Sequence, residues 1–268
     1  LFYKIESNVK NGSISEEVLI DSISVLKRNG NAGELRIGES ITIDDKLDAN
    51  TLFLRTASFN TGRFPQEPTL RALMEYLQNS YVIDGYHKAA LFGDTISKYA
   101  EENGVENINK YLEDFHYDFV VEYGSESEGA GVKVSVGSDK MVFLKRKSFP
   151  TPNAIVRESQ GNQVFADMLP DLICVIEKPG MFVIDEFGNS LHNRLAERII
   201  KFFMEKASNS QMFVTSHDTN LFSNSIFRPD QINLLTFMDA KGSCVKRISQ
   251  FKPREAQNVE KMYLGGMF

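Results

Sequence analysis

Two adjacent carboxylates, Asp185 and Glu186, directly follow the apolar run Met181 to Ile184. This uninterrupted run predicts a strand that is buried on both faces of a parallel sheet. Ligands and metals bind open α/β sheets at the carboxyl ends of such strands. A Mg²⁺ ion would give a buried acid its partner, with Asp185 holding the ion and Glu186 facing a water or substrate. A strand that ends at the surface with two solvated acids explains this stretch equally well.

A histidine follows the next predicted strand. A helix with Ser190 as a plausible N-cap separates the two strands, and four apolar residues recur on one of its faces: Leu191, Leu195, Ile199 and Phe203. The second strand, 211–215, leads into His217. Because parallel neighbours end at the same sheet edge, we expect Glu186 and His217 side by side, where His217 could contact a γ-phosphate or orient a water. A loop-capping histidine is the commoner reading of His217 alone, but the agreement of spacing and strand ends favours the site.

Ser159 and Gly161 lie at the start of another predicted helix, whose apolar part runs from Val164 to Ile176. The free backbone N–H groups and the positive end of a helix dipole make such a start an anion-binding site. An ordinary serine N-cap is the alternative, and it is the commoner case when the motif is taken alone.

Four segments in this order resemble the second half of an ABC-type ATPase head: 159–162, 183–186, 189–192 and 215–218. The chain is similar in particular to ABC-like AAA ATP-binding proteins of bacterial abortive-infection and restriction-associated loci. The closing segments 251–254 and 263–266 also resemble those proteins. The resemblance extends from about Arg157 to Phe268 and is weaker before that.

The resemblance implies ATP and Mg²⁺ as ligands and two heads that sandwich the nucleotide head to tail. Asp185 would then hold Mg²⁺, directly or through water. Glu186 would be the general base for the attacking water, and His217 would sense the γ-phosphate.

The same resemblance assigns nucleotide contacts to the signature and to a connecting loop. Ser159, Gly161 and Asn162 would contact the nucleotide that the opposite head holds, and Asn189 and Ser190 would lie in the loop that communicates between the two sites.

The chain departs from the family pattern in two places. Glu158, Gln160 and Asn162 replace three members of the usual Leu-Ser-Gly-Gly-Gln signature. Residues 33–40 have the spacing of a phosphate-binding P-loop, but Glu39 stands where the loop needs its lysine and would repel the phosphates. We therefore reject this segment and expect the P-loop in a stretch that precedes Leu1, so that this chain by itself would be inactive.

Composition narrows the function classes. The 268 residues are 42% hydrophobic and 25% charged, with a formal net charge of -6, which argues against a broadly basic nucleic-acid surface. The short basic run 145–147 is better explained as a solvated face than as a nucleic-acid contact. No apolar run is long enough to cross a bilayer. Cys174 and Cys244 show no metal-ligand spacing and indicate reduced thiols in a cytoplasmic protein.

We predict an α/β fold, the second half of an ABC-type P-loop ATPase head with an antiparallel β-subdomain and a helical insertion. Residues 1–50 would form the β-subdomain. Residues 51–117 would form the insertion, with helices over 69–77, 88–99 and 108–115. Residues 118–268 would carry the signature, Walker B, D-loop and switch-histidine parts of the core.

The function that follows from the resemblance is ATP binding and hydrolysis coupled to head-to-tail association with a second copy, in phage defence and with an effector protein as a further partner. A non-hydrolysing oligomeric scaffold or sensor that traps an effector is the alternative. Nucleic-acid binding stays open, and no membrane contact is expected.

Overall fold

The computed structural model describes residues 1–8, 12–48, 50–60, 67–84, 94–129, 131–135, 137, 139–149, 151–222, 226–238, 242–253 and 258–267. The chain divides into two compact units, Leu1–Ser80 and Tyr81–Phe268. The three-part division at residues 50 and 117 stays a prediction.

The first unit is an antiparallel sheet with two helices. Its five strands pair in chain order: β1 (Phe2–Asn8), β2 (Ser13–Ile20), β3 (Ile23–Asn29), β4 (Ala32–Ile37) and β5 (Ser40–Asp44). The helices are α1 (Phe53–Asn60) and α2 (Pro68–Gln78). Burial alternates along the strands, and the inward residues Val18, Leu26 and Leu35 pack with Leu54 and Leu70 of the helices. The predicted antiparallel β-subdomain and the helix over 69–77 are confirmed.

The rejected phosphate-loop candidate, residues 33–40, is a hairpin within this sheet. Ile37 pairs with Ser40 across its turn, and Gly38 takes the positive φ of 60° that the turn requires. A hairpin lacks the helix start that cradles phosphates in a P-loop, so the rejection is confirmed.

Arg28 is buried in the first unit, where its guanidinium group is both hydrogen-bonded and ion-paired. It is 1% exposed and donates to the backbone carbonyls of Gly30 at 2.6 Å and Asp48 at 2.7 Å, and also to that of Thr51. Its Nη1 lies 3.5 Å from the equally buried carboxylate of Glu16, the residue opposite it on β2. The pair neutralises itself inside the unit while Arg28 fastens the loop before α1.

Glu16 binds the first turn of α1. Its carboxylate accepts from the backbone N–H of Phe53 at 2.5 Å and of Leu54 at 3.3 Å, donors that a helix start leaves without partners. The Tyr3 hydroxyl donates to the same carboxylate at 2.9 Å, and burial together with this acid raises the pKa of Tyr3. Sheet and helix are therefore joined through one buried acid.

Substituting Arg28→Met should remove about 3–5 kcal/mol from the stability of the first unit, because Glu16 is left as an unpaired buried charge. Arg36→Met is the matched control, since Arg36 forms an exposed pair with Glu34 and should cost under about 0.5 kcal/mol. Native-state amide exchange of β2 to β4 measures the loss for this unit alone. Equal losses in both variants would show that the buried pair contributes nothing.

The second unit combines a parallel sheet, an antiparallel sheet and two hairpins. The parallel sheet has the order β13-β12-β6, and its strands are β6 (Tyr81–Asp84), β12 (Met181–Asp185) and β13 (Gln211–Val214). The antiparallel sheet has the order β11-β10-β7, from β7 (Phe119–Gly124), β10 (Met141–Arg146) and β11 (Asn153–Ala154). The hairpins are β8 (Glu126–Gly129) with β9 (Val132–Ser135), and β14 (Asn233–Met238) with β15 (Gly242–Arg247).

Five helices complete the second unit in its described part: α3 (Asp94–Asn103), α4 (Glu106–Asp114), α5 (Gln160–Glu177), α6 (Asn193–Lys206) and α7 (Val259–Leu264). Phe165 and Leu169 of α5 and Ile199 of α6 share one core with Phe182 and Ile184 of β12. None of the described helices has the length and apolar character that a bilayer span requires.

These elements confirm the α/β fold class and most of the predicted helices. Of the helix predicted over 88–99, residues 94–99 lie in α3 and residues 88–93 lie outside the described part. Strand β6 was missed, because a four-residue strand inside a helical region gives little pattern of its own.

The predicted start of α6 at Ser190 is wrong. The helix begins at Asn193, and the N-cap is His192, whose Nδ1 accepts from the Arg194 N–H at 3.3 Å. Ser190 has a φ of 67°, in the left-handed region, whereas an N-cap needs extended backbone. Of the predicted apolar face, Ile199 and Phe203 are buried and Leu195 packs partly buried against the core, so this part is confirmed. Leu191 is also buried but precedes the helix.

One face of the parallel sheet carries an exposed apolar row. Val82, Val183 and Phe213 stand in register across the three strands; Val82 is 74% and Phe213 52% exposed, and Val183 between them is half-buried. The opposite face holds buried residues such as Phe182 and Ile184. Parallel sheets are ordinarily covered on both faces, so this row is unusual for the strand type.

Candidate functional site

The carboxyl edge of the parallel sheet is organised by one hydroxyl group. Asp185 ends β12 with an exposed side chain, and Thr215 directly follows the neighbouring strand β13. The Thr215 Oγ1 donates to the Asp185 carboxylate and accepts from the Glu186 N–H at 3.0 Å. The hydroxyl therefore fixes the first acid's side chain and the second acid's backbone together.

Glu186 turns toward His217 because of its backbone. Its φ is 53°, an uncommon value for a residue other than glycine and one that clusters at functional sites. The N–H of the next residue, Phe187, donates to the Thr215 carbonyl at 2.7 Å and holds this turn. The His217 Nε2 lies 3.1 Å from Glu186 Oε1, with side chains 87% and 20% exposed. The predicted juxtaposition of the two residues is confirmed, whereas their chemical roles stay predictions.

Asp185 fits a magnesium ion in its donor type and placement. Mg²⁺ prefers oxygen ligands, keeps several waters and is usually bound through one or two carboxylates together with substrate phosphates. Within the described ranges, no group of three or more His, Cys, Asp or Glu residues is placed to cage a metal. An ion at Asp185 would thus depend on nucleotide phosphates and water for its remaining ligands.

Asp84 is a third acid at this edge, and the sequence pattern did not point to it. It ends β6 and stands directly beside Asp185 in the parallel register. The short apolar run Tyr81 to Ile83 ends in an acid, as the run Met181 to Ile184 does before Asp185, and this likeness is the weak signal that could have found it.

The loop after Glu186, residues 187–190, is fastened to the end of β13. The Ser216 hydroxyl donates to the Phe187 carbonyl at 2.6 Å, and the Asn189 N–H donates to the Glu186 carbonyl at 3.1 Å. Asn189 and Ser190 are exposed. The structure thus places these two predicted nucleotide-contact residues at the surface, next to the acids.

The start of α5 touches the same loop. Ser159 is the N-cap of α5, and its Oγ accepts from the Asn162 N–H at 3.4 Å. Gly161 packs against Ser190 so closely that a Cβ at this position would lie 2.8 Å from the Ser190 carbonyl oxygen. The predicted signature and the predicted communicating loop are therefore in contact within one chain.

The side-chain amide of Asn162 is hydrogen-bonded within the chain at both its oxygen and its nitrogen. Its Oδ1 accepts from the Tyr117 hydroxyl at 3.0 Å, and its Nδ2 donates to Glu158 at 2.8 Å. Its assignment as a nucleotide contact stays a prediction, and the amide would have to leave these partners to make one.

Glu158 is a further residue whose contacts the sequence did not reveal. Its carboxylate is 5% exposed and accepts from Arg146, Asn153 and Asn162. Burial by itself would raise the pKa of Glu158, but the three hydrogen bonds and the Arg146 charge outweigh it and lower that pKa. Glu158 is thus held ionised beside the start of α5.

Two of the three cationic residues in the basic run 145–147 form ion pairs within the chain. Lys145 pairs with Glu122, and Arg146 pairs with Glu158 at 2.6 Å, while Lys147 is exposed. Two of the three cations therefore serve the fold, which differs from the predicted solvated face.

Gly161→Ala should destabilise the second unit by about 1–3 kcal/mol, because the added methyl group overlaps the Ser190 carbonyl. Helix propensity alone predicts the opposite sign, a gain of about 1 kcal/mol. Gln160→Ala, an exposed neighbour in the same turn, is the control and should change little. Denaturant unfolding gives the sign, and a stabilised Gly161→Ala variant would show that the close contact is absent in solution.

The part of the chain that contains this site matches a known protein family. Residues 137–223 match the model described as "AAA domain, putative AbiEii toxin, Type IV TA system". The matched stretch contains the α5 start, both acids, the 187–190 loop and His217. No curated protein matches the sequence.

Two solved structures show a distant likeness. The SMC head domain from Thermotoga maritima has a TM-score of 0.42 and 11% identity, over 88% of this chain and 74% of that chain. The structure titled "Crystal structure of the SmcHead bound to the C-winged helix domain of ScpA" also has a TM-score of 0.42 and 11% identity, over 92% of this chain and 74% of that chain. Similarity at this level carries no information about what this chain binds.

Proposed function

We propose that this chain, whose residues 137–223 match the AAA-domain family model, supplies the metal-holding and water-activating half of an ATP-hydrolysing head. The observation that carries the proposal is the arrangement of Asp185, Glu186 and His217 around Thr215 at one sheet edge. A structural strand end has no need of two acids, a bridging hydroxyl and a contacting histidine together.

Each residue has a distinct task in this proposal. Asp185, oriented by Thr215, would hold Mg²⁺, which neutralises charge on the phosphates when bound. Glu186 would take a proton from the attacking water as general base. His217 now contacts Glu186, and its exposure leaves it free to turn to a γ-phosphate.

The exposed row of Val82, Val183 and Phe213 supports a further part of the proposal. It lies on the side of the sheet toward which Asp185 and Thr215 alternate. A strand and helix that carry a P-loop would cover this row and bring phosphates to Asp185. We propose that such a segment, outside these 268 residues, completes the nucleotide site.

Head-to-tail association with a second copy is the proposed mode of action. Ser159 and Gly161 present the first turn of an 18-residue helix, whose positive end favours an anion. A nucleotide held by the opposite copy would supply that anion. The match of residues 137–223 to an AAA-domain model supports such an ATP-dependent association.

In a longer protein that carries the proposed P-loop, Glu186→Gln should lower ATP turnover by about a hundredfold or more while ATP binding is kept, because the amide retains the shape and loses the base. Phosphate release and nucleotide calorimetry measure the two quantities. The 268-residue chain is the control, and it should bind Mg-ATP weakly since a P-loop normally supplies most phosphate contacts. Turnover within a fewfold of wild type would show that Glu186 is not the base. Binding without turnover in the wild type would favour the non-hydrolysing scaffold.

A role in phage defence, with a separate effector protein, is the proposed biological context. It is supported by the resemblance to abortive-infection ATPases and by the family description, which refers to a toxin of a toxin–antitoxin system. With the native neighbouring genes present, wild type should reduce the plating of some phages and Glu186→Gln should not, because the signal depends on turnover. Equal plating efficiencies across a broad phage panel would count against the role.

A further inference from the structure

We propose that Glu158 is a positioning residue for the proposed ATPase: it fixes the first turn of α5 so that Ser159 and Gly161 face the nucleotide of a second copy. The inference rests on the proposed function and deepens it. It concerns a residue that stands where the usual signature has leucine, so the family pattern does not supply it.

The carboxylate of Glu158 collects donors from three places in the chain. Arg146 Nη2 at the end of β10 donates at 2.6 Å, and Asn153 Nδ2 in β11 donates at 2.8 Å. Asn162 Nδ2 in the first turn of α5 donates at 2.8 Å. The antiparallel sheet and the helix start are therefore joined through one buried acid.

The first turn of α5 is tied to Glu158 and to the sheet by further bonds. Gln163 Nε2 donates to the Glu158 backbone carbonyl at 2.8 Å. Tyr117, just before β7, donates its hydroxyl to Asn162 Oδ1 at 3.0 Å. Both the oxygen and the nitrogen of the Asn162 side-chain amide are therefore hydrogen-bonded, and these bonds fix how the first turn of α5 is rotated about the helix axis.

The opposite side of the same turn touches the loop that follows Glu186, through Gly161 and Ser190. A turn held between the antiparallel sheet and this loop has one orientation. Charge is needed for this grip because a buried carboxylate accepts several strong hydrogen bonds, which an apolar residue at position 158 cannot do.

The hydrogen bonds that Glu158 accepts from Asn153 and Asn162 depend on the charge of Arg146. Without its cation, a carboxylate that is 5% exposed is unfavourable where it stands and would turn toward water, releasing Asn162 and Asn153. Arg146→Met and Glu158→Gln should therefore loosen the same turn, and the double variant should cost less than the sum of the two.

The first readout is amide hydrogen exchange of Gln163 in the 268-residue chain, because its N–H donates to the Ser159 carbonyl at 3.0 Å across this turn. Glu158→Gln should speed exchange about tenfold, as expected for loss of charged hydrogen bonds. Glu197→Gln, which removes an exposed ion pair with Lys201 on α6, is the matched control and should change exchange by less than about twofold. Unchanged exchange in Glu158→Gln would overturn the proposal.

The second readout separates positioning from folding in the longer protein that carries the proposed P-loop. Sedimentation with Mg-ATP, in a Glu186→Gln background, should show association weakened about tenfold or more by Glu158→Gln, while binding of a fluorescent ATP analogue stays within about twofold. A role in stability alone would lower both quantities together and would overturn the proposal.

The two proposals fail in different ways. If the protein with intact Glu158 does not self-associate in the presence of Mg-ATP, the proposed head-to-tail association is wrong and this inference is wrong as well. If it associates and the Glu158→Gln variant associates equally, the proposed function stands and the positioning role alone is overturned.

Discussion

The parallel pairing of β12 with β13 and β6 aligns the ends of three strands, and the candidate site depends on that alignment. Asp185 stands beside Asp84 on one side, and Thr215 reaches it from the other. A shift of one residue in the register would send Asp185 to the opposite face of the sheet, because side chains alternate along a strand. The buried residues Phe182 and Ile184 secure this register, since the same shift would expose them. Core packing and site geometry are therefore set by one constraint.

The contact of Gly161 with Ser190 extends this constraint to α5. The loop after Glu186 is fixed at one end by Ser216 and touches the helix start at the other. Elements that are far apart in sequence thus meet at a single surface beside the two acids. A change at the helix start can therefore reach Glu186 through a short chain of direct contacts.

Both units join sheet to helix through a buried acid. Glu16 caps α1 in the first unit and is compensated by Arg28, and Glu158 binds the start of α5 in the second and is compensated by Arg146. Glu16 accepts from backbone N–H groups that the helix start leaves unpaired, whereas Glu158 accepts from the Asn162 side-chain amide and leaves the backbone N–H groups of its helix start to other partners. Such pairs give orientation more than stability, because desolvation offsets much of their attraction.

The sequence by itself determined the features that local pattern encodes. The apolar run before Asp185, the helical spacing of Leu195, Ile199 and Phe203, and the Ser159 cap all follow from neighbours within a few residues. The meeting of Glu186 and His217 followed too, because parallel strands end at one edge. Only the tertiary structure decided the left-handed Ser190, the cap at His192, and the pairing of Glu158 with Arg146. The pair of Glu158 with Arg146 joins separate elements and leaves no periodic pattern in the sequence. The His192 cap is local, but histidine is not among the residue types that N-cap preferences signal.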